Sequence, residues 1–387
     1  MAAPISSRLE DRSGALLTVD LAALVENWRQ LKARVGAPCD MGAVVKADAY
    51  GLGLEPVAKA LKAAGCATYY VAHLDEGMAL RAIFGPGGSA TPRIVVMHGP
   101  NPGTERDFAA HGLIPVLSTP GQIKAWRSFA VANDVLMDSL VQVDTGMNRL
   151  GLTAAEFAAH MTDPDGFVGL TPLALMSHLA CAETPEHALN RQQQERFASA
   201  LSTFRLKFAD AKGSLVNSSG VFLGKAFHYD FARPGAALYG VNPTPGAPNP
   251  MIPVVRLQAK ILQVRRVDAA SPVGYGATFH APDGSKLATI SMGYADGLLR
   301  SWGSSGHAFM DDLRVPVAGR ISMDLTTLDV SNVPDSALVP GAMVEIIGSR
   351  QTVDGLAKES GTIGYEILTA LGQRYHRRYL PARPSPA

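Results

Sequence analysis

The sequence predicts an α/β protein in which a barrel of parallel strands precedes a mostly antiparallel β domain, and three observations support this. From about Leu21 to Val241, short apolar runs rich in β-branched residues alternate with longer amphipathic segments. A proline-rich stretch at residues 242–250 ends the alternation, because it can continue neither a helix nor a central strand. Beyond it, short strand-like runs are separated by Gly, Pro, Asp and Asn.

The first region contains eight strand-like runs and several helix-like segments. The strand-like runs are Ala43–Lys46, Ala67–Ala72, Arg93–Met97, Leu113–Leu117, Ser139–Asp144, Leu173–His178, Ser214–Asn217 and Tyr229–Arg233. The helix-like segments include Leu21–Val35, Leu54–Ala64, Asp75–Phe84, Thr119–Ala132 and His187–Phe208. Eight strands alternating with helices favour a closed (β/α)8 barrel, which we predict at residues 14–243. An open doubly wound sheet is the alternative, because periodicity alone does not show closure.

The second region is rich in strand-like runs. These are Pro253–Val267, Lys286–Met292, Arg314–Val317, Thr326–Val330 and Ala342–Ile347. One short helical segment, Tyr365–Leu371, lies near the end of the chain. We therefore predict a mostly antiparallel β domain at residues 244–387.

Composition narrows the class of partner and the compartment. The 387 residues carry a net charge of +1 with no long run of one sign, which argues against nucleic acid or an anionic membrane as the main partner. The three cysteines are scattered, which is typical of a reducing compartment. Residues 1–11 lack the apolar segment of a signal peptide, and no apolar run reaches the length of a membrane span. We therefore expect a cytoplasmic protein whose ligand is a small polar molecule.

A single lysine, Lys46, ends the first strand-like run and is followed by a turn that contains Tyr50, Gly51 and Gly53. In a parallel barrel, the carboxyl ends of the strands face the active site. Desolvation there lowers the pKa of a lysine and frees its amine for Schiff-base chemistry. The alternative is a lysine that extends from the strand end to solvent.

Two loops late in the barrel region are candidate phosphate sites. Asn217-Ser218-Ser219-Gly220 follows the seventh run, and Arg233-Pro234-Gly235-Ala236 follows the eighth. Barrels of this kind commonly bind phosphate with backbone amides of these two loops. Either segment alone could simply cap a helix. Together with a lysine on the first strand, they predict a phosphorylated ligand.

Polar residues at other strand ends complete the candidate site. Arg149 follows the fifth run and His178 ends the sixth, so we expect both to point toward the barrel mouth, although each could be structural. Tyr275 and Tyr294 lie beside glycines in loops of the β domain, and the segment Gly319–Asp324 forms a third such loop. The alternative for the tyrosines is an edge-strand position next to a turn.

Taken in order, these segments resemble bacterial alanine racemases, fold-type III enzymes that depend on pyridoxal 5'-phosphate (PLP). The resemblance covers about Leu17 to Leu380. It implies a (β/α)8 TIM-like barrel, a C-terminal β domain and a head-to-tail homodimer with shared active sites. It also implies a racemase, and so an isomerase, that interconverts L-alanine and D-alanine with two bases. The product would serve peptidoglycan synthesis or alanine catabolism.

The resemblance assigns a role to each matching position. Lys46 resembles the PLP lysine and one catalytic base, and Tyr275 resembles the opposing base, supplied by the other subunit. Arg233 is similar to the arginine at the pyridine nitrogen, and His178 to the imidazole against the ring. The residues that resemble the phosphate-binding set are Tyr50, Ser218, Gly235, Ala236 and Tyr365.

The substrate side is assigned in the same way. Arg149 resembles the arginine near the phenolic oxygen of PLP and the substrate carboxylate. Met323 is similar to the residue whose backbone amide binds that carboxylate. The positions that match the entrance are Glu183, Tyr294, Arg300, Arg320 and Asp324.

Two residues depart from the family pattern, and other functions remain open. Gln142 replaces a lysine that is often carbamylated, so we expect Arg149 to be oriented by the Gln142 oxygen or by a bound anion such as chloride. Glu183 replaces an aspartate. A serine or broad-specificity racemase of the same fold is the nearest rival; a fold-type III decarboxylase and a non-catalytic PLP-binding protein are more distant ones.

Overall fold

The computed structural model of the chain describes residues 9–88 and 91–382. Residues 1–8, 89–90 and 383–387 lie outside the described residues. They include most of the N-terminal segment inspected for a targeting signal and the last five residues of the predicted β domain. Within the described ranges, every helix is too short or too polar to cross a membrane.

A ring of short parallel strands forms the centre of the first region. The strands of this half of the chain are β1 (Ala15–Asp20), β2 (Asp40–Met41), β3 (Ala43–Val44), β4 (Thr68–Val71), β5 (Arg93–Val96), β6 (Ile114–Leu117), β7 (Met137–Gln142), β8 (Leu170–Met176), β9 (Lys212–Ser214) and β10 (Phe231–Ala232). Among the described residues, β3 to β9 pair in sequence order as a seven-stranded parallel sheet, and β10 pairs with β2.

Backbone hydrogen bonds close this sheet into a barrel. The Arg233 amide donates to the Val216 carbonyl at 3.0 Å, which joins the eighth strand to the seventh. The Val44 amide donates to the Pro234 carbonyl at 2.9 Å, which joins the first strand to the eighth. The predicted barrel is therefore confirmed, and the open doubly wound alternative is wrong.

The helical segments of this half of the chain are α1 (Leu9–Arg12), α2 (Leu21–Val35), α3 (Lys46–Tyr50), α4 (Leu54–Ala63), α5 (Leu74–Phe84), α6 (Glu105–Ala110), α7 (Pro120–Ala132), α8 (Ala154–Thr162) and α9 (Ala188–Lys207). Of these, α3 is a short turn at the carboxyl end of β3, and α1 lies against strand β11 (Val255–Arg266) of the second sheet. Polar caps set several starts: the Asp20 carboxylate accepts from the Ala23 amide at 2.9 Å, and Thr119 caps α7 before Pro120. Between β9 and β10, and directly after β10, the chain forms 3-10 turns in place of α-helices; they are Ser219–Phe222, Lys225–Phe227 and Ala236–Tyr239.

The second region is an antiparallel-rich sheet with two helices. Its elements are β11 (Val255–Arg266), β12 (Ser271–Val273), β13 (Phe279–Ala281), β14 (Lys286–Ile290), β15 (His307–Met310), β16 (Leu313–Pro316), β17 (Thr326–Asp329), β18 (Met343–Ile347), α10 (Val353–Ser360), α11 (Gly364–Ala370) and β19 (His376–Leu380). The order along the main path is β16-β15-β18-β11-β1-β19, and β14 pairs with β11 and β17. The predicted β domain is confirmed as an architecture.

The first strand of the chain, β1, belongs to this second sheet and not to the barrel. It pairs antiparallel with β11 and parallel with β19. One continuous hydrophobic core then runs from β1 through the barrel, because Leu17, Trp28, Tyr239 and Leu368 are all buried in the same cluster. The division of the chain at residue 243 stays a prediction.

Candidate active site

A cavity of about 510 Å³ lies at the carboxyl ends of the barrel strands. Nine of the residues singled out in the sequence line it: Lys46, Tyr50, Arg149, His178, Ser218, Arg233, Gly235, Ala236 and Tyr365. Gln142 and Asn217, which were also noted in the sequence, line it as well. Met97, His98 and Thr369 complete the lining and were not singled out in the sequence. The barrel thus brings together side chains from strands that are far apart in sequence.

Lys46 begins a turn with an unusual backbone. The four residues after it, Ala47 to Tyr50, have φ values of 52°, 54°, 53° and 57°, in the left-handed region. Such a conformation costs L-residues roughly 1–2 kcal/mol each, so contacts must fix it. The Glu76 carboxylate accepts from the Ala47 amide at 2.6 Å, and the Asp48 carboxylate accepts from the Leu54 amide at 2.7 Å.

The surroundings of Lys46 lower the pKa of its amine. Within residues 9–88 and 91–382, its Nζ has no hydrogen-bond or ion-pair partner. Burial, assisted by the positive charge of Arg149, lowers the pKa of Lys46, while the negative charge of Glu76 opposes that shift. A larger fraction of the amine is therefore unprotonated at neutral pH than for a lysine in water, as a nucleophile or base requires.

The two late loops form a single cradle. The Ser218 hydroxyl accepts hydrogen bonds from the Gly235 amide at 3.0 Å and the Ala237 amide at 3.2 Å, which joins the loop after β9 to the loop after β10. The Tyr50 hydroxyl lies where a Cβ on Gly235 would be, so any larger residue at position 235 would have to displace Tyr50. The Tyr50 ring stacks on Tyr239, with ring centroids 4.7 Å apart.

The Tyr50 hydroxyl is available to a ligand. It has no hydrogen-bond partner in the described part of the chain, and burial raises its pKa, so it remains a donor. Hydroxyl and backbone donors around a glycine are the groups that bind phosphate. The cradle therefore fits a phosphate group.

Arg233 is a buried cation without a carboxylate partner among the described residues. It is 3% exposed, and it donates to the Ser214 hydroxyl and, at 2.7 Å, to the Ser177 carbonyl. Burial lowers its pKa to about 10, which still leaves it charged at neutral pH. Burial together with Arg233 and Arg149 lowers the pKa of His178 to about 3, so the imidazole is neutral.

Arg149 lies in a loop that Gln142 helps to close. The Gln142 amide donates to the Leu150 carbonyl at 3.1 Å, and the Asp144 carboxylate accepts from the Gly146 amide at 2.9 Å. The guanidinium of Arg149 has no hydrogen-bond or ion-pair partner in the described ranges. The expected direct contact between the Gln142 oxygen and Arg149 is therefore not formed; the Gln142 side chain is held by its Nε2 donor on the Leu150 carbonyl. Orientation of Arg149 by a bound anion stays a prediction.

A residue that sequence reasoning missed, Gln193, supports the end of β8. Its side chain is fully buried; it donates to the His178 carbonyl at 2.9 Å and the Thr145 hydroxyl at 3.2 Å, and it accepts from the Ala180 amide at 2.9 Å. A glutamine within an amphipathic helix gives no sign of such contacts. Gln193 thus fixes the backbone from which His178 projects.

The remaining predicted residues lie on the β domain and do not line this cavity. They are Tyr275, Tyr294, Arg300, Arg320, Met323 and Asp324. The Tyr275 side chain is 71% exposed and Met323 is 54% exposed. Arg320 packs against Gly276, next to Tyr275, because a Cβ on Gly276 would lie 3.0 Å from Arg320 Nη1.

Two contacts position the entrance residues. Arg374, which was not singled out, binds Asp296 through two nitrogens and Asp324 through a third, at 2.7–2.9 Å. On the barrel side, the Tyr365 hydroxyl donates to the Glu183 carboxylate at 3.4 Å. The structure thus places Glu183 beside the cavity and the other entrance residues on a separate, exposed surface.

Two family models match this chain. The N-terminal domain of alanine racemase matches residues 19–243, and the C-terminal domain of alanine racemase matches residues 254–379. The chain belongs to the alanine racemase family. The match includes the barrel residues of the cavity and the exposed residues of the β domain.

Individual alanine racemases match over nearly their full length. That of Rhodospirillum rubrum is 48% identical over 370 residues, which cover 96% of this chain and 97% of that protein. A catabolic alanine racemase of Mesorhizobium japonicum is 48% identical over 371 residues, covering 96% and 94%. The crystal structure of alanine racemase from Bartonella henselae with covalently bound pyridoxal phosphate has a TM-score of 0.89 at 38% identity, covering 95% of this chain and 100% of that chain. The resemblance drawn from the motifs is confirmed.

Proposed function

We propose that this chain is a PLP-dependent racemase that interconverts L-alanine and D-alanine. The observation that carries the proposal is the convergence of Lys46, the Ser218–Gly235 cradle and Arg233 in one cavity, in a chain of the alanine racemase family. These groups are a covalent anchor, a phosphate site and a cation without a carboxylate partner in the described chain. The alanine racemases named above support alanine as the substrate.

The cavity offers a contact to each part of the cofactor. Lys46 would bind PLP covalently, Arg233 would face its pyridine nitrogen and His178 its ring. The phosphate would be bound by Tyr50, Ser218, Gly235, Ala236 and Tyr365. Bound PLP withdraws electrons from the α-carbon of the amino acid and so makes its proton acidic. The fixed charge of Arg233 disfavours protonation of the pyridine nitrogen, which limits that withdrawal and favours racemisation over transamination.

Racemisation needs a proton to leave one face of the α-carbon and another to arrive on the opposite face. In one direction, the unprotonated Nζ of Lys46, once it is free of its covalent bond to PLP, accepts the α-proton, and the hydroxyl of Tyr275 donates its own proton to the other face. The two groups exchange roles in the reverse direction. Arg149, whose guanidinium has no partner among the described residues, binds the substrate carboxylate together with the backbone amide of Met323. The lowered pKa of Lys46 suits it to the role of base.

Tyr275 and Met323 reach the cavity of a second copy of the chain, so the active enzyme is a head-to-tail homodimer. Their exposure, and their position outside the cavity of their own chain, support this assignment. The three free cysteines support a cytoplasmic location. The reaction supplies D-alanine for peptidoglycan synthesis or converts alanine for catabolism.

The deciding experiment follows a panel of L-amino acids with the purified holoenzyme in D2O. Loss of optical activity together with α-deuteration of alanine is the expected result. Carbon dioxide release would indicate a decarboxylase, and equal exchange of serine and alanine would indicate a broader racemase. No exchange on alanine with PLP bound would refute the proposal.

A further inference from the structure

We infer that Glu76 is a positioning residue for Lys46, fixing the left-handed turn that aims the amine into the cavity. Glu76 lies in the first turn of α5, on the barrel unit after the one that carries Lys46. The inference rests on the proposed role of Lys46, and it assigns Glu76 no contact with the substrate or cofactor.

The Glu76 carboxylate joins the ends of two neighbouring strands. Its Oε1 accepts from the Ala47 amide at 2.6 Å, directly after Lys46. Its Oε2 accepts from the Ala72 amide at 2.7 Å and the His73 amide at 3.1 Å, directly after β4. A charged acceptor makes each of these bonds stronger than a neutral one would. The loop that carries Lys46 is therefore tied to the carboxyl end of β4, the neighbouring barrel strand.

Glu156 shows which of these contacts belong to ordinary helix capping. Both Glu76 and Glu156 are the third residue of a helix that begins with a capping box. Among the described residues, Glu156 accepts only from the backbone amide and the hydroxyl of Thr153, its own cap residue. Glu76 makes the capping bond and adds the bond to Ala47, 29 residues away. The contact with the lysine turn is thus additional to what α5 requires.

The same carboxylate acts on the charge of Lys46. Glu76 raises the pKa of Lys46, against the effects of burial and of Arg149. Lys46 also shares the cavity with other titratable groups, which are Arg233, Tyr50, Tyr365, His98 and His178. The charge of Lys46 lowers the pKa of the two histidines. Glu76 is therefore the carboxylate that limits how far the pKa of Lys46 falls, and it also fixes the position of the Lys46 backbone.

Three variants of the full-length holoenzyme test the inference. Glu76→Gln removes the charge and leaves one carboxamide oxygen to accept both from the Ala47 amide and from the amides of Ala72 and His73. Glu76→Asp keeps the charge but shortens the reach, and Glu156→Gln is the matched control. The readouts are deuterium exchange of the Ala47 amide at single-residue resolution and the pH profile of kcat for alanine, together with KM. Thermal unfolding confirms that each variant is folded.

We expect Glu76→Gln to increase the exchange rate of the Ala47 amide at least 10-fold, to lower kcat with little change in KM, and to move the acid limb of kcat to lower pH. Glu76→Asp should increase exchange without moving the limb, and Glu156→Gln should do neither. Unchanged protection of Ala47 would overturn the inference, as would a pH profile of Glu76→Gln that is only scaled down. The exchange measurement is independent of alanine turnover, so an enzyme inactive on alanine would refute the proposed function and not this contact.

Discussion

The hydroxyl of Tyr50 occupies the space beside the α-carbon of Gly235 that a Cβ would need. Tyr50 cannot easily withdraw, because its ring is buried and stacks on Tyr239. Two elements from opposite ends of the barrel sequence therefore meet at van der Waals distance under the phosphate cradle. The Tyr50 side chain can occupy this position only because residue 235 has no Cβ.

Gly235→Ala should weaken PLP binding while leaving the chain folded. Overpacking of this kind costs about 1–3 kcal/mol, which corresponds to a factor of about 5 to 150 in Kd. Titration of the apoprotein with PLP, followed by absorbance, measures the change. Gly246→Ala is the control, since a Cβ there meets nothing within 4 Å. Equal PLP affinity in the two variants would contradict this account of the cradle.

Mixing two inactive variants should restore activity. Lys46→Ala and Tyr275→Phe each lack one base, but a hybrid dimer with shared sites contains one intact site, with Lys46 from one chain and Tyr275 from the other. Random exchange of subunits gives about a quarter of the wild-type activity. Alanine turnover before and after exchange in mild denaturant measures this. If each chain supplied both bases to its own cavity, mixing would restore nothing.

Folding stability should decrease in acid partly because of His178. Its pKa is about 3 in the folded chain and about 6.5 in an unfolded one. Between these values the unfolded state binds more protons, so this contribution is fully present above about pH 6.5 and is lost as the pH falls toward 3. His178→Gln should therefore have a flatter dependence of Tm on pH than the wild type. His280→Gln, at an exposed position, should not; matching slopes for all three proteins would argue against a neutral His178 in the folded chain.

Gln193→Leu should destabilise the chain by at least about 2 kcal/mol, because it leaves the Ala180 amide and the His178 carbonyl without partners. The midpoint of urea unfolding measures the loss, and PLP affinity should fall with it because His178 loses its support. Gln192→Leu, one residue earlier and exposed, should behave like the wild type. A stable Gln193→Leu variant with normal PLP affinity would show that the network is dispensable.

Periodicity predicted most of the barrel. Helix α2 has the predicted bounds, Leu21–Val35, and the eight strands lie within a few residues of their predicted positions. The strand β1 was not predicted. Its six residues give no sequence signal for pairing with β11 and β19, which lie more than two hundred residues further along the chain. Helix α8 was missed too, although Thr153 and Glu156 form a capping box that the sequence shows.

Some residues of the site could likewise be predicted from the sequence, and others could not. Lys46, Ser218 and Arg233 could be predicted to converge, because the fold brings all carboxyl strand ends to one face. Glu76 and Gln193 act through hydrogen bonds to backbone groups that are distant in sequence. Neither residue type nor spacing predicts such contacts. The position of Gln142 could be recognised from the sequence, but the hydrogen bond from its Nε2 to the Leu150 carbonyl depends on the shape of one loop.

The placement of β1 between β11 and β19 imposes an order on folding during synthesis. The first strand leaves the ribosome long before residues 255–266 and 376–380 exist, so its edges stay unpaired while the barrel residues emerge behind it. The nascent chain must keep an apolar segment, including Leu16, Leu17 and Val19, from pairing elsewhere until residues 376–380 have been synthesised. Emergence of β19, and not completion of the barrel, is therefore the step that gives β1 both of its partner strands.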